Sequence, residues 1–270
     1  MGGSMGMAVG FFAGSMVSAS FIAPWVGGWR NTFLLYGLIG VLFALPWLLT
    51  PGGPRTKPQL EPTFSEPDAG SSIQQIARIQ NIWLLGLGLL CFGGAIQGFL
   101  GYIPLYLRSL GWPALRADGL ASSFHLASLI FTIPLALLSD RLRSRKGIAI
   151  AAVSLSATGI LLFAVLQGDA LWGVVIAAGL ARDGIMAILI TMALETRGIS
   201  RDAAGVATGF VLIFAGIGSL AAPPLGNALA TLAQSAPFIF WGILCLGGAL
   251  CLLLLREDQL GRVRQTSIPK

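Results

Sequence analysis

Gly6 to Gly27, GMAVGFFAGSMVSASFIAPWVG, comes back near the other end of the chain as Gly205 to Gly226, GVATGFVLIFAGIGSLAAPPLG. The stretches stand 199 residues apart and agree without a gap at Gly6/Gly205, Ala8/Ala207, Gly10/Gly209, Phe11/Phe210, Ser20/Ser219, Ala23/Ala222, Pro24/Pro223 and Gly27/Gly226. In a chain this rich in Gly and Ala, about two such matches would arise by chance. Each copy is followed by an apolar run with an aromatic–Gly step, Tyr36-Gly37 in the first and Trp241-Gly242 in the second. Two helices are therefore read as repeated, and the spans between the copies define the repeat unit.

Composition fixes the class. Hydrophobic residues make up 55% of the 270, charged residues 10%, and the mean hydropathy is +0.82. Soluble domains carry about a quarter charged residues, so this is an integral membrane protein. The net charge of +6 does not indicate nucleic acid, because the cations sit in short loops between apolar runs, where they act as a topology signal. Cys91, Cys245 and Cys251 lie inside apolar runs at no metal or redox spacing and read as small core residues; no metal or cofactor is expected. There is no HExxH, P-loop or nucleophile elbow, and one histidine cannot build a supported triad, so no catalytic residue and no enzyme is expected. Met1-Gly-Gly-Ser lacks the positive start and cleavage site of a signal peptide, so the chain is expected to begin abruptly at a membrane span.

A spanning helix needs about 20 mostly apolar residues. Eight runs qualify, near 3–23, 32–50, 82–107, 119–138, 147–166, 171–194, 203–229 and 236–255. An even number puts both termini on one side. The loops of that side carry thirteen Lys and Arg, against Arg30, Arg108 and Arg116 on the other, so both termini are expected in the cytoplasm and the chain in the plasma (inner) membrane.

Gly2, Gly6, Gly10 and Gly14 recur every four residues and give the first helix a face stripped of side chains, suited to close helix packing in lipid. That helix ends at Ala23-Pro24-Trp25-Val26-Gly27-Gly28, where proline and paired glycines break it. Residues 51–80, with five prolines and mixed charge, form a linker. Near its end, Ser72 with Gln75 has capping-box spacing, and Ile73, Ile76 and Ile79 fall at helical intervals. Either a short surface helix or an extension of the third span fits this pattern. In the loop 139–146, Asp140 stands ahead of Arg141, Arg143, Arg145 and Lys146; either this is an ordinary solvated basic loop, or a helix-end ion-pair cluster that would hold one conformation until something moves.

The repeated helices lie six helices apart, so a six-helix unit is implied with four helices of its first copy absent. Parallel six-helix halves joined by a long loop describe one transporter architecture. The chain resembles the major facilitator superfamily from its fifth helix to its twelfth. Ala19 to Gly28 is similar to the family's fifth-helix motif, with Pro24, Gly27 and Gly28 matching and Ala19 and Ala23 in place of glycines. Leu138-Ser139-Asp140-Arg141 with Arg145-Lys146 is similar to the second copy of the family's charged loop, with Ala136 for its first glycine and the second glycine missing. The resemblance implies an all-α polytopic protein with eight transmembrane helices. Residues 1–50 would be the last two helices of the N-terminal bundle, 51–80 the cytoplasmic linker, and 81–270 the C-terminal six-helix bundle with its tail.

Ionisable residues inside a span are functional candidates by default. Arg182 and Asp183 sit midway along the run 171–194. Consecutive helical residues diverge by about 100°, so the two need not pair; one can face a cavity and the other a neighbouring helix. Arg182 offers a planar fork to an anionic solute. An ion pair that merely locks helices is the competing reading. Asp183 and the lone His125 are the proton-coupling candidates, although a hydrogen-bonded interior histidine is the commoner case. Gln97 and Tyr102, on what the resemblance makes the cavity-lining seventh helix, and Asn227 after Pro223-Pro224 are further solute-binding candidates, against ordinary interhelical bonding.

The expected function is secondary active transport of a small, anionic organic solute by alternating access, proton-coupled, by a chain truncated at its N-terminus. The partners are the lipid bilayer, the solute and the coupling ion. An efflux antiporter of apolar compounds and a non-transporting membrane scaffold are the alternatives. A self-sufficient scaffold would fill the glycine face of the first helix; a fragment would leave it open.

Overall fold

The computed structural model describes residues 6, 10, 11, 14, 16–49, 69–142, 144–180, 182–199 and 203–256, without the side chains of 19, 47–49, 69–72, 133 and 135–142. A π-helical turn, Ser18–Ile22, runs into a short helical turn, Ala23–Trp25. Among the described residues nine α-helices follow: α1 (Trp29–Leu49), α2 (Ala69–Ala77), α3 (Gln80–Ser109), α4 (Ala114–Leu142), α5 (Arg145–Phe163), α6 (Ala170–Gly179), α7 (Arg182–Leu194), α8 (Ala204–Ala228) and α9 (Ala236–Leu253). Helices suit these runs because backbone groups in hydrocarbon must be satisfied within the segment. Among the described residues six stretches are long and apolar enough to cross a membrane, and one of them, Ala170–Leu194, takes in both α6 and α7. With 29 residues, α4 is also of spanning length, although Asp118, His125 and several hydroxyls make it the more polar helix. Of the expected first span, residues 6, 10, 11, 14 and 16–23 are described.

Helix α3 is the axis of the bundle. It packs along α8 on one side and α9 on another, α9 continues onto α5, and α4 packs along α6 and α7. Glycines set the closest of these approaches. A methyl at Gly94 would sit 2.7 Å from the Gly218 carbonyl oxygen, and one at Gly218 would strike the Leu90 carbonyl, so α3 and α8 cross backbone to backbone. One turn further on, the fully buried indole of Trp241 fills the slot left by Gly98 and Gly226. Its Nε1 donates to Ala222 O at 2.9 Å. The aromatic core around it comprises Phe99, Tyr102, Tyr106, Phe163 and Phe238.

The N-terminal hairpin is different. Gly27 at φ +82° and Gly28 at φ +129° make the turn into α1, with Gly28 N–H donating to Ala23 O at 2.7 Å. Those glycines serve the turn; among the described residues a methyl at Gly27 would meet only Asn31 of α1, and one at Gly28 nothing within 4 Å. Helix α1 buries almost nothing; Phe33, Leu34, Val41 and Phe43 are all exposed. Gly6, Gly10 and Gly14 have open space where their side chains would be. The two repeat copies nevertheless share a device. Tyr36 Oη lies 2.6 Å from Ser18 Oγ, so in both copies the aromatic of the aromatic–Gly step returns its polar atom to the preceding helix.

The linker ends in a separate helix, α2, rather than an extension of the third span, because Ile79 is extended between α2 and α3. The helix starts at Ala69, so Ser72 lies inside it and is not its cap, which corrects the capping-box expectation. Ile76 is buried beneath α2, and Gln75 Nε2 donates to Gly198 O at 2.9 Å. Beside it the bundle is fastened shut. Fully buried Asn81, at the start of α3, donates to Arg256 O at 2.9 Å and accepts from Arg256 N–H at 3.0 Å, just past α9.

Gly218→Ala is expected to lower the melting temperature in detergent through a steric cost of about 1–3 kcal/mol. Gly209→Ala, on the open face of the same helix, should leave it unchanged. Asn81→Ala removes two hydrogen bonds of about 0.5–1.5 kcal/mol each. Faster deuterium exchange at the Arg256 amide, with little change in α4, is the expected readout.

Candidate functional site

Apolar helices leave few places for charge, so each ionic contact is informative. Midway along the Ala170–Leu194 span, Arg182 Nη1 donates to Asp183 Oδ1 at 2.9 Å. The two neighbours in sequence do pair, because the long arginine stem can fold back on a carboxylate that is already pinned. The pin is Ser128 on α4. Its Oγ donates to Asp183 Oδ2 at 2.8 Å and accepts from Asp183 N–H at 3.1 Å, so one hydroxyl closes a two-point clasp between α4 and α7.

One helical turn before Ser128 stands His125, only 8% exposed. Phe124 meets its ring edge-on at 5.7 Å, and Phe11 stacks on it at 5.2 Å with 16° between the planes. The Arg182 guanidinium carbon lies 5.5 Å from the centre of the same Phe11 ring. Among the described residues His125 Nδ1 is buried without a hydrogen-bond partner.

Three of the residues singled out in the sequence, His125, Arg182 and Asp183, thus meet in one place. Gln97 and Asn227 are exposed on α3 and α8, and Tyr102 is enclosed by Tyr106, Phe238 and Trp241. No hydrogen bond or ring contact among the described residues joins those three to Arg182. Ser128 and Phe11 were not singled out. Spacing could have found Ser128, three residues after His125 and so on a neighbouring face of the helix; Phe11 carried no signal beyond its place in the repeat.

Two further polar groups flank the cluster. Toward the start of α4, Arg108 Nη2 lies 2.6 and 2.7 Å from the two oxygens of buried Asp118, and Ser20 Oγ donates to Asp118 Oδ2 at 2.8 Å. This joins the N-terminal hairpin to α3 and α4. Asp118 was missed in the sequence; an acid ten residues after Arg108, across the Gly111-Trp112-Pro113 turn, was the available signal. At the opposite face, Arg145 pairs with Glu195, and Lys146 Nζ donates to Leu255 O at 2.8 Å, so the start of α5 is bound to the ends of α7 and α9. Asp140 and Arg141 lie in the last turn of α4, and their side chains are outside the described residues.

Among the described residues, apolar helices thus carry ionic contacts midway along one span, toward the start of α4 and at the start of α5. Comparison with known proteins assigns the family. A Bacillus subtilis protein described as an uncharacterized transporter, YycB, is 27% identical over 219 residues, covering 76% of this chain and 50% of that protein. The chain therefore spans about half the length of the relative it matches. Sequence patterns of the Major Facilitator Superfamily match residues 1–196 and again 117–270, end to end between them. The chain belongs to the major facilitator superfamily, a family of membrane transporters.

Proposed function

We propose that this chain is part of a secondary active transporter that moves a small anionic organic solute by alternating access, coupled to protons. The observation that carries the reading is the Arg182–Asp183–Ser128 clasp beside buried His125, a part-buried charge pair midway along a membrane-spanning stretch. A charged side chain at the centre of a membrane helix costs about 2.5–3.5 kcal/mol on insertion scales, a cost that function rather than packing explains. Arg182 is the proposed solute ligand, since its fork can exchange the Asp183 carboxylate for the carboxylate of a solute. Released from Arg182, Asp183 would be free to take a proton, with His125 as the second proton site. Gln97 and Asn227, exposed on α3 and α8, are proposed as further cavity ligands. Tyr102 is assigned to the aromatic core instead.

In this reading residues 1–50 are the last two helices of an N-terminal bundle, 51–80 the linker, and 81–270 the C-terminal bundle, in the inner membrane with both termini cytoplasmic. The open glycine face of the first helix and the bare flanks of α1 favour a partner bundle completed by four further helices over a self-sufficient scaffold. Arg145 and Lys146, with Asp140 and Arg141, form the cytoplasmic gate, and Arg108, Asp118 and Ser20 close the other side.

In the complete transporter, Arg182→Ala is expected to weaken apparent solute affinity by roughly 10- to 100-fold, the loss of a charged hydrogen bond of about 1.5–3 kcal/mol, with Arg182→Lys intermediate. Uptake into proteoliposomes measures it, and normal transport by Arg182→Ala would refute the anionic solute. Asp183→Asn should retain exchange of solute at equal concentrations but lose acceleration by a pH gradient. Wild-type transport that stays constant between about pH 5.5 and 8 would argue against proton coupling through either residue.

A further inference from the structure

Three spanning stretches meet at one end: Gln80–Ser109 begins there, and Ala170–Leu194 and Ala236–Leu253 finish there. The segment from Gln75 to Asn81 joins them. Gln75 Nε2 donates to Gly198 O at 2.9 Å, a methyl at Gly198 would lie 3.5 Å from Ile79 Cδ1, and Asn81 is bonded both ways to the Arg256 backbone. Arg78 precedes Ile79 and Arg197 precedes Gly198, so the joint gathers Arg78, Arg197 and Arg256 from three distant parts of the chain.

Their side chains are spare. Of the nine Lys and Arg side chains among the described residues, six are engaged by an acid, a carbonyl or an aromatic ring. The other three are Arg78, Arg197 and Arg256, all exposed, and among those residues no hydrogen bond, ion pair or ring contact engages their guanidinium groups. Glu195, the described acid nearest to Arg197 in the chain, is already paired with Arg145. A topology signal needs cations on one side of the membrane, not unpaired and in one place.

Apolar groups lie beside them. Ile73 on α2 is 49% exposed and Trp83 on α3 41%. Trp83 Nε1 donates to Ala77 O at 2.9 Å, and its ring meets Phe210 and Phe214 of α8 edge-on. The indole is thereby held at the start of a span, where tryptophan suits the boundary between headgroups and acyl chains. Cations next to exposed apolar groups at the ends of spanning helices fit a ligand with a phosphate at one end and hydrocarbon at the other. A free phosphate would use the arginines and leave Ile73 and Trp83 bare.

We propose that this joint binds an anionic phospholipid, with its phosphate among Arg78, Arg197 and Arg256 and its acyl chains along Ile73 and Trp83. A bound headgroup reinforces the joint that Gln75 and Asn81 make.

The test is native mass spectrometry of the full 270-residue chain released from a neutral detergent and titrated with phosphatidylglycerol or with phosphatidylcholine of the same acyl chains. An arginine at an anionic surface contributes about fivefold in affinity, so phosphatidylglycerol is expected to bind at least about tenfold more tightly. Arg78→Gln, Arg197→Gln and Arg256→Gln should each weaken phosphatidylglycerol by several-fold, and the triple variant should lose the preference. The single variants carry the test if the triple variant lacks a native melting curve. Arg30→Gln combined with Arg116→Gln, which removes two cations away from the joint, should leave the preference intact. Equal binding of the two lipids, a preference that survives in the folded arginine variants, or the same loss in the Arg30 and Arg116 variant overturns the site. Displacement of phosphatidylglycerol by an equal concentration of soluble glycerophosphate assigns the arginines to a free anion and overturns the lipid.

Discussion

One serine hydroxyl organises the polar interior of this protein. Ser128 both gives a hydrogen bond to the Asp183 carboxylate and receives one from the Asp183 amide, so the acid is held in position and orientation from a different helix. Arg182 then follows, because in an apolar bundle its nearest counter-charge is the neighbouring carboxylate. The guanidinium is thereby turned towards Phe11 and His125. Without the clasp, α4 and α7 would meet here through apolar contacts alone, and neither charge would have a fixed direction.

Helix α4 carries this centre, with one tie toward its start at Asp118 and a second on the next helix, at the start of α5. At about 1.5 Å per residue, Asp118 stands about 10 Å from His125, and Asp140 about 22 Å beyond it. The first tie draws in the N-terminal hairpin through Ser20, and the region of the second draws the start of α5 onto the ends of α7 and α9.

Much of this was legible in the chain itself. Hydropathy and length place the apolar runs because lipid leaves the backbone no alternative to helix, and the repeat of Gly6–Gly27 in Gly205–Gly226 indicated the architecture. Arg182, Asp183 and His125 stood out because ionisable groups are rare where water is absent. What could not be read was pairing. Ser128 and Asn81 are common polar residues in helices full of small ones, and only the third dimension shows that the first clasps Asp183 and the second reaches Arg256, 175 residues away. Ser72 misled for a local reason, since a capping residue has no power to start a helix whose first turn is already formed upstream.

The Asn81–Arg256 clamp has a meaning beyond stability. It sets the first residues of α3 beside the last residues of α9, so the chain enters this unit and leaves it through a single doorway. A body of that kind can be copied, spliced or appended to another polypeptide without redirecting any strand of chain through the bilayer, the condition under which one ancestral bundle can become two.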